Sequence, residues 1–298
     1  MPSEKVKTLW HPYIISGAVN LIQGDSSTGK SYLSQAIITA LTTGQALPNA
    51  EPMPPCYVVI QNGENSLKGV VKPRLVELGA DFKYIKSIDD SDNPLSLLSP
   101  DIEKMISQYK AKLFVADPIQ AFANIYNQQL MRKILMHLRG VGERHDCAIL
   151  LVGHLRKSRT QSQYRGFGSQ DIYNAIPSVM NLGRVNDDVR VMVHSKSNFF
   201  EVGTPMSFSL KGGFQWLGEY DITLDELLAN PASSNRERQR DKAKAFLTEL
   251  LADGEVDSNE VLTLAKEAGI AEKTLRRAKI DLGVASVQLA DKWVWSLE

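Results

Sequence analysis

Eight residues near the start of the chain have the types and spacing of a phosphate-binding loop. The sequence Gly-Asp-Ser-Ser-Thr-Gly-Lys-Ser occupies positions 24–31 and fits the pattern G-x-x-x-x-G-K-S. Its glycines allow the backbone to turn successive N–H groups towards an anion. The residues expected to contact phosphate are Gly24, Asp25, Ser26, Ser27, Thr28, Gly29, Lys30 and Ser31. A Ser/Gly-rich turn that simply precedes a helix is the alternative interpretation.

The flanking sequence favours the phosphate-binding interpretation. An apolar run at 18–22 predicts a strand before the loop, and the pattern at 32–41 predicts a helix after it. Strand, loop and helix in this order are the context that such a loop needs. We therefore expect ATP and Mg²⁺ as ligands, with Lys30 reaching the β- and γ-phosphates and Ser31 binding the metal.

Three further candidate residues follow predicted buried strands. Asp117 ends the apolar run at 113–116, Glu64 comes soon after the run at 56–60, and His154 follows the run at 147–152. Ligands bind in open parallel sheets beyond the carboxyl ends of the strands. We expect Asp117 to be a second magnesium ligand, Glu64 to align the attacking water, and His154 to sense the γ-phosphate. A solvated loop carboxylate and a purely structural histidine are the alternatives for the last two.

The segment 155–166 is rich in positive charge. It contains Arg156, Lys157, Arg159 and Arg165, one tyrosine and no acidic residue. Such a segment suits the backbone of a single-stranded nucleic acid, with DNA as the expected partner. A plain solvated loop is the alternative.

Short strand patterns joined by turn residues begin at residue 179 and predict antiparallel hairpins at the sheet edge. Within them, Arg184 and Lys196 are candidates to reach the nucleotide of a neighbouring subunit. Near the start of the chain, Trp10 and Tyr13 are expected to pack on the nucleotide base or on the first strand.

The C-terminal part of the chain has a different pattern. A polar, basic stretch at 230–241 is predicted to be a linker. It separates a core at 1–229 from a small domain at 242–298. Three helical segments and two short strand-like runs predict a winged helix-turn-helix. Its third helix offers Lys273, Arg276, Arg277 and Lys279 to duplex DNA. Binding to a protein, or a spacer role, is the alternative.

The composition limits which classes of protein the chain can belong to. The 298 residues contain 34 Lys+Arg and 34 Asp+Glu, so any contact with nucleic acid depends on local patches. The two cysteines, Cys56 and Cys147, lie in separate apolar runs and are expected to be buried thiols of a cytoplasmic protein. There is neither a signal-peptide pattern at the start nor an apolar run long enough to span a membrane.

Residues 1–220 resemble RecA-like AAA-family ATPases of phages and plasmids, the group that includes the RepA-type hexameric replicative helicases. The landmarks are Gly-Asp-Ser-Ser-Thr-Gly-Lys-Ser at 24–31, Gly-Glu-Asn at 63–65, Pro-Arg-Leu at 73–75, Val-Ala-Asp-Pro at 115–118, Gly-His at 153–154, Tyr-Arg-Gly-Phe-Gly-Ser-Gln-Asp at 164–171 and, in the tail, Thr-Leu-Arg-Arg-Ala-Lys at 274–279. The resemblance implies an α/β fold with a RecA-like P-loop core, in which a mostly parallel sheet lies between helices.

The resemblance also implies functional roles. Lys30 and Ser31 would hold phosphates and magnesium, Glu64 would activate water, Asp117 would be the Walker B carboxylate, and His154 would couple hydrolysis to DNA. It implies a homo-oligomer, with a hexameric ring as one form, and a primase or another replication protein as a partner.

Two positions depart from the family pattern. An acidic pair is usual after the second strand, but the chain has Glu64-Asn65. Relatives often have Arg-Ser where this chain has Pro177-Ser178, and that arginine resembles a finger acting on the next subunit. Arg184 or Lys196 is therefore expected to supply the charge, unless hydrolysis between subunits is weakened.

These observations predict an ATP-dependent, DNA-acting ATPase that is a replicative helicase or a related protein. An ATP-switched DNA-binding regulator or helicase loader is the alternative, which Pro177 and the neutral net charge favour. A small-molecule kinase is a third interpretation, disfavoured by the appended C-terminal domain.

Overall fold

The computed structural model describes residues 5–63, 67–88, 96–155, 170–229, 242–252, 254–289 and 292–296. The chain divides into two compact units, Met1–Ala229 and Asn230–Glu298. Each unit has apolar clusters of its own.

The first unit alternates strands and helices. Its strands are β1 Thr8–Trp10, β2 Ile14–Ile15, β3 Val19–Gly24, β4 Val58–Asn62, β5 Ile85–Ser87, β6 Leu113–Asp117, β7 Ala148–His154, β8 Ser178–Arg184, β9 Val189–Ser197, β10 Met206–Ser209 and β11 Gln215–Glu219. Its α-helices are α1 Lys30–Thr43, α2 Lys72–Glu77, α3 Pro100–Tyr109, α4 Gln128–His145, α5 Gln170–Asn174 and α6 Leu224–Ala229. A π-helical turn, Leu67–Val71, leads into α2, and short 3₁₀ turns lie at Phe82–Tyr84 and Ile119–Ala121.

Nine of these strands form one sheet in the order β11-β10-β9-β8-β3-β7-β6-β4-β5. The six strands from β8 to β5 are parallel, and β9, β10 and β11 extend the edge in antiparallel fashion. This confirms the predicted α/β class with a mostly parallel sheet and antiparallel strands at one edge. The order also inserts β7 between β3 and β6, so the end of β7 lies between the loop after β3 and the end of β6.

Alternating side chains place helices on both faces of the sheet. In β7, Ala148, Leu150 and Val152 join a cluster that includes the buried side of α1. Ile149 and Leu151 join a second cluster, which includes α3 and α4. Strands that are apolar on both faces are expected in a parallel sheet covered by helices on both sides.

The residues before β3 are part of the apolar core. Trp10 and Tyr13 are fully buried. The Trp10 Nε1–H donates to the Pro48 carbonyl at 2.9 Å, and the Tyr13 hydroxyl donates to the Thr204 carbonyl at 2.6 Å. The Trp10 ring also lies 5.6 Å from the Trp216 ring. Of the two interpretations given above, the structure therefore supports packing within the protein.

Both cysteines are free thiols, with Cys147 buried and Cys56 half-buried. Burial raises the pKa of Cys56 to about 11 and that of Cys147 to about 12. Both thiols therefore stay protonated near neutral pH.

The described residues of the second unit form three helices and a small sheet. A helix α7 at 242–250 is followed by α8 Ser258–Glu267 and α9 Glu272–Asp281. The strands β12 Val256–Asp257, β13 Ala285–Leu289 and β14 Lys292–Ser296 form an antiparallel sheet in the order β12-β14-β13. One core joins the helices to the sheet, and it includes Leu247, Val261, Leu275 and Trp295.

None of the described helices has the length and hydrophobicity needed to cross a membrane.

A buried histidine links the residues before β3 to strands β8 and β9. His194 is 2% exposed, and its Nδ1 accepts the Gly203 N–H at 2.9 Å. The proton therefore lies on Nε2, which donates to the Ser178 hydroxyl at 3.0 Å. That hydroxyl in turn donates to the Tyr13 carbonyl at 2.6 Å. This arrangement needs a neutral imidazole, and burial lowers the pKa of His194 to about 4.

The low pKa of His194 predicts a loss of stability in mild acid. Because the unfolded histidine titrates near its ordinary value of 6.5, the unfolded state binds more protons between pH 6.5 and 4. Stability is thus fully present above this range and falls with pH, by about 2 kcal/mol between pH 7 and 5 from this group. Urea unfolding of the wild type and of His194→Gln at both pH values measures the difference. An equal pH dependence in the two proteins would contradict the assignment.

Candidate functional site

Strand β3 runs directly into the predicted phosphate-binding loop. All six residues of β3 are buried between β7 and β8. A Cβ at Gly24 would lie 2.4 Å from the Leu182 carbonyl oxygen of β8, so only glycine fits where the loop begins. At the other end, Gly29 has φ +97°, a conformation that favours glycine. The two glycines of the motif are therefore required for different reasons, one steric and one conformational.

Helix α1 begins at Lys30 and presents its N-terminus to the loop. Gly29 is the N-cap and has no side chain to bond the first amides, and the first turn carries no acidic residue. The Leu33 N–H already donates to the Gly29 carbonyl at 2.9 Å, so the regular helix starts at once. The amides of the first turn and the helix dipole thus point positive charge at the loop, as an anion site requires.

The amine of Lys30 lies inside the loop. Lys30 is 5% exposed, and its Nζ donates to the Gly24 carbonyl at 2.9 Å and the Asp25 carbonyl at 2.8 Å. These bonds compensate the desolvation of a buried ammonium group. They also hold the positive charge above the start of the loop, within reach of an anion bound there.

Asp117 faces the first turns of α1 from the end of β6. It is 6% exposed, and its Oδ2 accepts the Ser34 hydroxyl at 3.3 Å. The Ser34 Oγ is also 3.0 Å from the backbone carbonyl oxygen of Ser31, so Ser34 contacts both residues that are predicted to bind magnesium. Sequence reasoning did not identify Ser34. Its only signal is its position three residues after Ser31, which places it on the same face of the helix.

The donors at this point suit magnesium. A serine hydroxyl and a carboxylate are hard oxygen ligands, and Mg²⁺ is typically held by one or two carboxylates together with substrate phosphates and water. Among the described residues, no group of three or more His, Cys, Asp or Glu side chains is arranged to hold a metal ion. Ser31 and Asp117 therefore fit a metal that is shared with phosphate groups and do not form a closed protein cage.

His154 ends β7 beside the start of the loop. It pairs in register with Gly24, and the next amide, Leu155 N–H, donates to the Gly24 carbonyl at 3.1 Å. The carbonyl of His154 accepts the Gln120 side-chain amide at 3.2 Å. His154 alternates with Leu150 and Val152, so it shares the α1 face of the sheet with Asp117.

The end of β4 is tied to the end of β6. Asn62 pairs in register with Asp117, and the Gly63 N–H donates to the Asp117 carbonyl at 3.2 Å. A Cβ at Gly63 would lie 2.4 Å from the Ala121 Cβ, so a glycine is needed here for close packing. Glu64 follows immediately in sequence but lies outside the described residues.

Arg184 and Lys196 form bonds within their own chain. The Arg184 guanidinium donates to the carbonyls of Asn186 and Asp187 and to the Asp187 carboxylate, all in the β8–β9 turn. The Lys196 amine donates to the carbonyls of Tyr173, Asn174 and Ile176 at 3.0, 2.8 and 2.7 Å. Burial lowers the pKa of Lys196. Lys196 thus caps the carboxyl end of α5 within this chain.

Two residues beside the loop were missed by sequence reasoning. The position of a Cβ on Gly29 lies 3.1 Å from both the Arg190 Cδ and the Phe208 Cε2. Arg190 and Phe208 pair in register across β9 and β10, so they lie on the same face of the sheet. A single arginine within the apolar run 189–193 was the available signal.

The Arg74 guanidinium, which lies 4.4 Å from the Tyr32 ring, is a second cation near the start of α1.

The predicted nucleic-acid contacts divide into two groups. Arg156, Lys157, Arg159 and Arg165 lie outside the described residues. On α9, Lys273, Arg276 and Arg277 line a surface cleft together with Glu272 and the exposed Ile280. Lys279 instead contacts the β13–β14 hairpin, because its amine bonds the Ser286 hydroxyl and lies 4.1 Å from the Trp295 ring.

The contact of Gly24 with β8 predicts a steric effect. Gly24→Ala forces its Cβ against the Leu182 carbonyl, so β3 and β8 must separate, and we expect a loss of about 1–3 kcal/mol in the free energy of unfolding. Gly140→Ala is the matched control, because a Cβ there meets only the flexible end of Arg144 on helix α4. The control should be neutral or stabilising by up to about 1 kcal/mol. Urea unfolding measures both, and equal effects would contradict the assigned contact.

Comparison with known proteins agrees with this geometry. A search of curated protein sequences found no match to the chain. A sequence model of the family described as AAA domain matches residues 2–160, which is just over half of the 298 residues and includes the loop, Asp117 and His154. The chain therefore belongs to the AAA domain family.

Proposed function

We propose that the protein is an ATP-dependent, DNA-acting ATPase, similar to RepA-type replicative helicases of phages and mobile elements. The observation that carries the proposal is the meeting of the loop, Lys30, Asp117 and His154 at the carboxyl edge of the sheet. The AAA domain match supports nucleotide-dependent activity. A RecA-like core, with β7 inserted between the strands that end in Gly24 and Asp117, supports the same proposal.

In this proposal the loop and α1 bind the triphosphate. Backbone N–H groups of the loop and the first turn of α1 hold the phosphate oxygens. Lys30 exchanges the carbonyls of Gly24 and Asp25 for the β- and γ-phosphates. Ser31 and Asp117 would hold Mg²⁺, which would supply positive charge to the phosphates. Ser34 orients the Asp117 carboxylate towards α1.

Glu64 and His154 are assigned to hydrolysis and its coupling. Glu64 directly follows Gly63, whose N–H bonds the Asp117 carbonyl, and this position in the sequence supports the assignment. In this role it would accept a proton from the attacking water. His154 lies next to Gly24 in register and directly precedes the basic segment in sequence, which supports a role for it in coupling the nucleotide to DNA.

DNA is the proposed partner of both units. The segment that contains Arg156, Lys157, Arg159 and Arg165 would track a single strand. In the second unit, three helices and the β13–β14 hairpin have the order of a winged helix-turn-helix, with Lys273 and Arg277 on α9 facing duplex DNA. A homo-oligomer, with a hexameric ring as one form, and a primase or other replication protein complete the proposal.

A second candidate is an ATP-switched DNA-binding regulator or helicase loader. It is favoured by the lack of an obvious cation that could reach the nucleotide of a neighbouring subunit, among the positions predicted to supply one. Pro177 stands where relatives have an arginine, and both substitutes, Arg184 and Lys196, bond within their own chain. Hydrolysis that depends on a cation from the next subunit would then be slow.

The first test is ATP hydrolysis with and without single-stranded DNA, with the oligomer mass measured in the same samples. We expect stimulation by DNA and a nucleotide-dependent assembly. In Lys30→Ala, turnover should fall by at least about 100-fold, because a charge that stabilises the transferred phosphoryl group is lost. Lys211→Ala, at an exposed lysine of the β10–β11 turn, is the control and should retain turnover.

The outcomes separate the two candidates. Normal turnover in Lys30→Ala would overturn the assignment of the loop. ATP binding without DNA-stimulated turnover, in a monomer or dimer, would favour the ATP-switched regulator over the helicase.

The cleft on α9 predicts a salt-dependent contact with duplex DNA. In the full chain, Lys273→Ala combined with Arg277→Ala should weaken binding and lower the slope of log Kd against log salt by about 2, one unit for each phosphate contact. Lys266→Ala, on the exposed side of α8, is the control for charge removal from the same unit. An unchanged slope in the double variant would contradict a DNA contact at this cleft.

A further inference from the structure

A chain of buried polar side chains leads from β3 to α5. Gln23, the residue before Gly24, donates its Nε2–H to the Asn181 Oδ1 at 2.9 Å. Asn181 donates its Nδ2–H to the Ser195 Oγ at 2.5 Å. The exposed fractions of Gln23 and Asn181 are 1% and 0%, so these bonds are shielded from water. We refer to Gln23, Asn181 and Ser195 as the buried relay.

The direction of each hydrogen bond extends the buried relay to α5. The Ser195 hydroxyl donates its only proton to the Val179 carbonyl at 3.2 Å. It must therefore accept at its other contact, the Tyr173 hydroxyl at 3.3 Å, which donates to it. Tyr173 belongs to α5, so an unbroken series of hydrogen bonds joins the P-loop strand to that helix.

An irregularity in the sheet places Ser195 in this series. Met180 pairs with His194, but Val179 pairs with Lys196, so Ser195 is an extra residue in β9. Such bulges re-aim side chains and are frequent beside functional sites. Here the bulge turns Ser195 towards Asn181 and brings Lys196 to the three carbonyls at the end of α5. Helix α5 is thus held by two successive residues of β9.

The polar residues occupy positions where apolar ones would be expected. Gln23 follows Val19 and Leu21 on the face of β3 that packs in the second cluster, and Asn181 follows Val179 in the same way. Burying amides gains little stability over a well-packed apolar core, and buried polar networks mainly specify geometry. The buried relay therefore fixes one position of α5 relative to Gly24.

We propose that Gln23, Asn181 and Ser195 are positioning residues that couple the nucleotide state at Gly24 to helix α5. A shift of Gly24 on phosphate binding moves Gln23, which is its covalent neighbour, and the bonds to Asn181 and Ser195 transmit that shift. Helix α5 begins at Gln170, four residues after the end of the basic segment 155–166. The effect on DNA-stimulated turnover rests on the function proposed above, whereas the effect on α5 itself does not.

The test compares two serine hydroxyls of adjacent strands. Ser195→Ala removes the link between Asn181 and Tyr173. Ser178→Ala is the matched control, because it removes a buried hydroxyl with two bonds on β8 that is not part of the buried relay. Asn181→Leu interrupts the series at a second point. For each protein, nucleotide affinity, ATP turnover with and without single-stranded DNA, and amide hydrogen exchange at 170–176 with and without a non-hydrolysable ATP analogue are measured.

The expected results separate coupling from folding. In the wild type and Ser178→Ala, the ATP analogue should change exchange at 170–176. In Ser195→Ala and Asn181→Leu that change should disappear and DNA stimulation should fall by about fivefold or more, while nucleotide affinity stays within about threefold. The same exchange response in all four proteins, or none in the wild type, would overturn the proposal. If the exchange response depends on the buried relay but single-stranded DNA stimulates turnover in none of the proteins, the coupling stands and the DNA-stimulated motor is excluded.

Discussion

The position of β3 between two parallel strands is the constraint on which the candidate site depends. Gly24 pairs with His154 on one side and with Leu182 on the other. The absence of a Cβ at Gly24 lets β8 approach closely. These contacts fix where the loop starts, and the left-handed backbone at Gly29 fixes where α1 begins. The two ends of the candidate phosphate-binding loop are thus positioned by the sheet and by α1.

The two faces of the sheet have different roles in this arrangement. Asp117 and His154 share the face of α1, as their alternation with Val115 and Val152 requires. Gln23 and Asn181 lie on the opposite face, among residues packed with α4 and α5. Groups expected to contact the nucleotide and groups expected to transmit its state are therefore separated by one thickness of the sheet, although Gln23 and Gly24 are adjacent in the chain.

The sequence predicted those parts of the site that are encoded locally. The loop, the strand before it and the aspartate that ends β6 follow from short motifs and apolar runs. The contact of Ser34 with Asp117 depends on strand order, and the placing of Ser195 depends on a single extra residue in β9. Neither has a local pattern. Lys196 shows the same limit, because its bond to the Tyr173 carbonyl of α5 depends on its register position in β9 and has no local sequence pattern.

The burial of Trp10 and Tyr13 has a consequence for how the chain is made. Trp10 packs on Trp216, and Tyr13 bonds Thr204, so the partners of these two residues are synthesised about two hundred residues after them. Strand β3 likewise lacks both parallel neighbours until β7 and β8 have been synthesised. The first unit therefore completes its core only when nearly all of it has emerged. Because such long-range closure slows folding, the apolar strands of the nascent chain stay exposed until the later strands have been synthesised.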